Sequence, residues 1–213
     1  MVYMNADRMK KLNVATGATT DITPPGVTWR RDQPVEDWVL RVGSLFDGRT
    51  EKYQHDVDIR IVGNRIAAIS PADFEVIPTI DASDKTAIPG LFEMHAHMGS
   101  TSESQGRIWL AFGVTSVRDP GSNPYVAKER QEAWDSHRRI GPRTHITGYL
   151  TDGNRVYYSI AEGVTSAAHL ERALDRANRL QLDFIKTYVR LPDHWQRRVV
   201  EYAHSIGIPV SSH

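Results

Sequence analysis

From residue 86 to residue 213 the chain alternates between strand-like and helix-like segments, and nothing else in it limits the fold so tightly. Thr86 to His97 reads as a first strand, followed by a short helix around Arg107–Phe112 that stops at Gly113. Val114–Arg118 is a second strand, and Tyr125–Arg139 a second helix ending before Gly141-Pro142. Thr144–Leu150 is the third strand; the helix after it, about Ser166 to Leu180, sets Leu170, Leu174, Ala177 and Gln181 on one face. Asp183–Val189 is the fourth strand, and Asp193–Ile206 a helix with Trp195, Val199, Tyr202 and Ile206 at the 3–4 spacing, stopped by Gly207. Pro209–His213 is the fifth strand. Alternation of this kind predicts an α/β fold of parallel strands joined by right-handed helical crossovers. Five strands and four helices suit an open doubly wound sheet or the first part of an eight-stranded barrel. No glycine-rich fingerprint follows the first strand, so a dinucleotide site has no support.

The segments upstream differ in kind. Residues 1–36 predict a β-hairpin, Met9–Val14 and Thr19–Thr23 around the turn Ala15–Ala18, then a linker broken by Pro24, Pro25, Gly26 and Pro34. Residues 37–85 predict a small antiparallel β-sandwich domain. Trp38–Val42 is a strand, Val57–Val62 alternates with period two, and Gly63-Asn64 turns the chain into Arg65–Ile69. No titratable cluster falls there.

Composition closes several alternatives. Lys plus Arg number 26 and Asp plus Glu 26, so the net charge is zero and no electrostatic footprint for nucleic acid or an anionic membrane exists. No apolar run nears the roughly 20 residues of a membrane span. No secretory leader is visible at Met1–Leu12, which reads as cytoplasmic for the chain as given and leaves a periplasmic site open for a longer parent. With no cysteine at all, any metal site must use imidazole and oxygen ligands, and there are nine histidines to choose from.

Two histidines stand out. His95 and His97, at i and i+2 near the end of the first strand, share one face, close enough for one metal. Alone the pair is weak evidence, but its surroundings add to it. Ala87-Ile88-Pro89-Gly90-Leu91-Phe92-Glu93-Met94-His95-Ala96-His97 resembles the first-strand signature of the amidohydrolase superfamily. Leu45-Phe46-Asp47-Gly48, Val62-Gly63-Asn64-Arg65-Ile66 and Ile80-Asp81-Ala82 resemble the family's opening phrases, in order. Ala111–Asp119 and Gly141-Pro142-Arg143 are similar to its imidazolonepropionase-like and prolidase-like branch. The resemblance spans residues 38–213; Glu93 departs from it, standing where the family most often has Asp.

Strand alternation turns Phe184, Lys186 and Tyr188 to one face and Ile185, Thr187 and Val189 to the other. An inward lysine is costly unless neutral or paired; read from the residues alone, Lys186 could also reach solvent or pair with a carboxylate. His213 could be no more than a chain end. The resemblance implies specific roles. Residues 86–213 would be the first part of a (β/α)8 metal-dependent hydrolase barrel, through strand five. His95, His97, Lys186 and His213 would be ligands of two divalent ions, most simply zinc, with a CO2-derived carbamate on Lys186 bridging them. A metal-bridging hydroxide would hydrolyse a C–N bond in a small-molecule amide, cyclic amide or dipeptide. The family's sixth-strand His and eighth-strand catalytic Asp have no counterpart in this chain, so no catalytic residue is assigned and an amino-terminal fragment is expected. The first hairpin is similar to the end of a Tol-type β-propeller, so the parent could be a propeller–hydrolase fusion. The alternatives are a non-catalytic scaffold of the same family, or a half-barrel module completed by a second chain or by self-association. Of the other histidines, His55 is expected in a loop, His137, His169, His194 and His204 on helices, and only His145, on the third strand, could point inward.

Overall fold

A computed structural model describes residues 1–5, 8–23, 37–98 and 103–213, so the linker prolines and Gly26 lie outside the described residues. At the amino terminus, β1 (Val2–Asn5), β2 (Arg8–Leu12) and β3 (Thr19–Ile22) form an antiparallel sheet. The hairpin is β2–β3. Its turn is closed by Asn13, whose Oδ1 accepts the backbone N–H groups of Ala15 and Thr16 at 3.0 and 3.3 Å. The sequence reading missed β1, which Val2↔Lys11 pairing adds to the free edge of β2.

The chain clusters into two compact units, one of Thr28–Gly90 and one of Met1–Val27 with Leu91–His213. The first holds β4 (Asp37–Leu45), β5 (Gln54–Val62), β6 (Arg65–Pro71) and β7 (Ile80–Ala87). The expected antiparallel sandwich needs correction: its described residues make a single mixed sheet in the order β6-β5-β4-β7. After β6 the connection returns the chain in the same direction, so β7 pairs parallel with the open edge of β4. Val42, Leu45, Val57 and Ile59 form this unit's core. Beside them Arg41 binds Asp58 in a bidentate pair, 2.7 and 2.8 Å, and also donates to the carbonyls of Asp73 and Val76. His55 sits in β5, not in a loop, and shares a hydrogen bond with Ser44.

In the second unit the chain continues through β8 (Leu91–Glu93), α1 (Glu103–Ala111), β9 (Val114–Asp119), α2 (Pro124–Asp135), β10 (Arg143–Ile146), β11 (Leu150–Asp152), β12 (Ala161–Gly163), α3 (Ala167–Arg179), β13 (Ile185–Lys186), α4 (Asp193–Ser205) and β14 (Val210–Ser211). Every pairing in this stretch is parallel: β8 with β9, β9 with β10, β11 with β12 and β13 with β14. A Thr151–Thr187 bridge and the bond from Asp183 N–H to Ile146 O, 2.9 Å, join β10–β11 to β13. Mixed α/β architecture is therefore the observed class. No closed barrel forms among the described residues, since β8 and β14 each pair on one side only.

Several expected strands are shorter than read. Thr86 and Ala87 belong to β7, and Pro89, which has no N–H to give a ladder, separates them from β8. The third strand divides into β10 and β11 at Gly148, whose φ of +75° a side chain would resist. Helix α2 ends at Asp135, four residues early, and His137 follows it in left-handed conformation. Between α3, α4 and the strands lies the main core: Leu170, Leu174, Ala177, Leu182, Ile185, Val199 and Ala203 are all buried. Gln181 is exposed with φ +51°, and Leu182 takes the inward place the helical spacing gave it. No helix among the described residues is long and apolar enough to cross a membrane.

Candidate metal centre

The H-x-H pair lies just past the end of β8. Glu93 Oε1 accepts the His95 backbone N–H at 2.8 Å, and Ala96 N–H reaches Arg118 O at 3.1 Å, so the chain still runs along β9. The His95 and His97 rings meet edge to face with centroids 5.4 Å apart. His97 Nδ1 lies 2.8 Å from Gly121 O. A carbonyl only accepts, so Nδ1 carries a proton and Nε2 is the nitrogen left for a ligand.

Lys186 comes from β13 and is 4% exposed. Its neighbour Ile185 enters the helix-side core, which sends Lys186 to the opposite face. There Nζ donates to Ser212 O at 2.8 Å. Burial first, and the Arg118 charge second, push the ammonium below its ordinary pKa. His95 is also lowered, by desolvation and then by Lys186, His97, Arg118 and His213. His213 packs its ring on Tyr188, centroids 4.7 Å apart.

All four residues singled out in the sequence, His95, His97, Lys186 and His213, line one cavity of about 430 Å3, with Leu150, Tyr158, Ile160 and Tyr188 as its remaining wall. Among the described residues no three His, Asp or Glu side chains stand close enough to hold an ion by themselves. The donor set fits a borderline divalent ion: imidazoles, one of them fixed through its far nitrogen by a carbonyl, and an amine that burial drives toward its neutral form.

Phe184 does not share this cavity. With Phe92, Met94, Arg118 and His145 it lines a neighbouring, largely apolar one of about 460 Å3, where the Arg118 guanidinium lies 4.7 Å from the Phe184 ring centre. The inward turn foreseen for His145 leads there. Val189, expected against the helices, is 62% exposed because the strand ends before it. His169 pairs with Glu162 at 3.1 Å, outside both cavities. Sequence reasoning missed Tyr158, Ile160 and Leu150. They sit on and around the irregular segment between β11 and β12, where no periodicity assigns a face.

No family model matches the chain. Two curated relatives do: adenine deaminase 2 of Bradyrhizobium diazoefficiens, 32% identical over 115 residues, and adenine deaminase 1 of Bradyrhizobium sp. (strain ORS 278), 31% identical over 115 residues. Each alignment takes in 50% of this chain and 18% of the relative, so the chain spans about a fifth of those proteins. Among solved structures, a Xaa-Pro dipeptidase superposes with a TM-score of 0.69 at 22% identity, over 84% of this chain and 56% of that one. A bottromycin amidohydrolase gives 0.69 at 24%, over 84% and 39%, and an ochratoxinase from A. niger 0.66 at 16%, over 84% and 56%. At these identities the structures share the fold.

Proposed function

We propose that this chain belongs to the amidohydrolase superfamily and is the amino-terminal part of a metal-dependent hydrolase that cleaves a C–N bond in a small molecule. One observation carries the reading: His95, His97, Lys186 and His213, separated by up to 118 positions in sequence, line a single cavity. In this reading residues 91–213 are the first five strands of a (β/α)8 barrel. The open edges of β8 and β14 take up the remaining units, from the same polypeptide or from a second chain.

His95, His97, Lys186 and His213 would hold two divalent ions, zinc being the simplest choice for this donor set. Bound there, such ions lower the pKa of water and polarise a carbonyl or amidine carbon. The chain's own residues do the rest. Burial keeps a fraction of Lys186 as the neutral amine, whose lone pair adds to CO2, releasing one proton and leaving a carbamate. Gly121 O fixes the ring of His97. Tyr158, Tyr188, Ile160 and Leu150 exclude water and orient an apolar or aromatic part of the substrate. Relatives named as adenine deaminases and a neighbour named as a Xaa-Pro dipeptidase support an amide, cyclic amide, dipeptide or amidine C–N bond as the target.

Equilibrium dialysis of the full 213-residue chain against Zn²⁺, with and without 13C-bicarbonate, tests the reading. Zinc retention that falls at least tenfold in His95→Ala and His97→Ala, with a 13C carbamate signal that disappears in Lys186→Met, is expected. Equal zinc retention in all three variants overturns it.

A further inference from the structure

The most completely buried polar cluster in the second unit lies behind His97, not in the cavity. Arg130 of α2 and Asp119 at the end of β9 are both 0% exposed. Arg130 donates one N–H to Asp119 Oδ2 and another to Met98 O, each at 2.5 Å. Asp119 Oδ1 accepts Gly121 N–H at 3.2 Å, and Oδ2 also accepts the Ser122 hydroxyl. Gly121 O in turn holds His97 Nδ1 at 2.8 Å. The contacts form a ring that starts and ends at one histidine: His97, its neighbour Met98, Arg130, Asp119, Gly121 and back to the His97 imidazole. Both the backbone beside His97 and the partner of its ring are thereby pinned.

The arrangement is expensive for a purely structural device. A buried ion pair is seldom more stable than apolar side chains of the same size. Here, moreover, Arg130 Nε has no partner among the described residues. Gly121 completes the fit, since a Cβ there would lie 2.6 Å from Leu150 Cδ2 and 3.3 Å from His97 Cε1. The ring packs directly on the backbone it bonds.

We propose that the buried Asp119–Arg130 pair, acting through Gly121 and Met98, is a positioning device that holds His97 in the Nδ1–H tautomer with Nε2 open to the cavity. Its value for metal affinity rests on the reading of His97 as a ligand. Its effect on the ring does not. Removing such an outer partner typically weakens metal binding roughly 10- to 100-fold.

The test uses the full chain, 15N-labelled and metal-free, with long-range 1H–15N spectra to read which His97 nitrogen is protonated, and Zn²⁺ affinity from competition with a chelating dye. The double variant Asp119→Asn with Arg130→Met removes both charges together, so no buried charge is left alone, and keeps an acceptor for Gly121 N–H. It should show a mixed His97 tautomer and Zn²⁺ affinity lowered roughly 10- to 100-fold, with the number of sites unchanged. Arg130→Lys, able to keep one of the two bonds, should recover part of both. Gly121→Ala reaches the ring from the other side with both charges intact and should produce the same losses, so the test survives a double variant that does not fold. Wild-type tautomer and affinity in folded variants overturn the proposal. Undiminished Zn²⁺ affinity in His97→Ala instead overturns the ligand reading, and the tautomer spectra then decide the positioning claim alone.

Discussion

Replacing Ile185 by alanine tests the face assignment on which the whole site depends. Ile185 is 3% exposed within the core formed by Leu182, Leu191, Val199 and Ala203, and its strand neighbour Lys186 faces the cavity. The substitution removes three carbons. At ~0.8 kcal/mol per buried methylene the transfer loss is about 2.4 kcal/mol. A residual cavity on the order of 40 Å3 adds about 1 kcal/mol at 24 cal/mol per Å3. The expected cost is therefore about 3 kcal/mol. Val189, four positions on and 62% exposed, supplies the contrast: its alanine variant should stay within about 0.5 kcal/mol of wild type. Urea denaturation followed by far-ultraviolet circular dichroism reads both. With a slope of about 2 kcal/mol per molar, the Ile185→Ala midpoint should fall by roughly 1.5 M and the Val189→Ala midpoint hardly at all. Equal shifts in the two variants, or a cost below about 1 kcal/mol at Ile185, would show that the strand faces are assigned wrongly, and Lys186 would lose its place in the cavity with them.

Two further outcomes follow from buried contacts. Hydrogen bonds from Arg41 hold the Asp58 carboxyl below the usual carboxylate range. Its contribution to stability is complete above the unfolded value of about 4 and lost as pH falls through the lower folded value. Wild type should thus exceed Asp58→Asn in stability by a constant margin at neutral pH, a margin that narrows under acid. Urea titrations from about pH 7 to pH 3 check this, and an undiminished gap at the acid end would refute it. At Gly141 an added Cβ would lie 2.2 Å from Trp134 Cδ2, in a ring that is 4% exposed. Gly141→Ala should cost about 1–3 kcal/mol, read as a lower thermal midpoint with altered tryptophan fluorescence; an unchanged midpoint would count against the packing described.

The residues that the sequence brought to notice and those it hid differ in where their information lies. Helix α4 was legible because Trp195, Val199 and Tyr202 recur at helical spacing, and local periodicity is all a helix needs. Lys186 was legible for a similar reason, since period-two alternation sets it on one face with Phe184 and Tyr188, opposite Ile185 and Thr187. Strand ends were not. Of Asp183–Val189 only Ile185 and Lys186 pair with β14 and Thr187 adds a single bridge to Thr151, because the length of a parallel strand is set by what its neighbours offer, and β14 offers two residues. The direction of β7 was hidden likewise: its apolar pattern is the same whether it lies parallel or antiparallel to β4, and only the path of the connection decides.

The Asp119–Arg130 pair shows the limit most plainly. In the sequence the two are charged residues eleven positions apart, one ending a strand and the other in a helix, where Arg130 shares the buried face of Ala127 and Trp134. Charge on a helix ordinarily means solvent, and that prior fails when a partner from another element meets it in the core. What burial of Arg130 secures is not visible along the chain either, since its two acceptors, Met98 O and Asp119 Oδ2, flank the H-x-H segment and the Gly121 turn in space. Motif spacing can therefore nominate His95, His97, Lys186 and His213 as donors. The groups around the His97 ring, the Gly121 carbonyl, the Asp119 carboxylate and the Arg130 guanidinium, meet only in the folded chain, and no spacing links them.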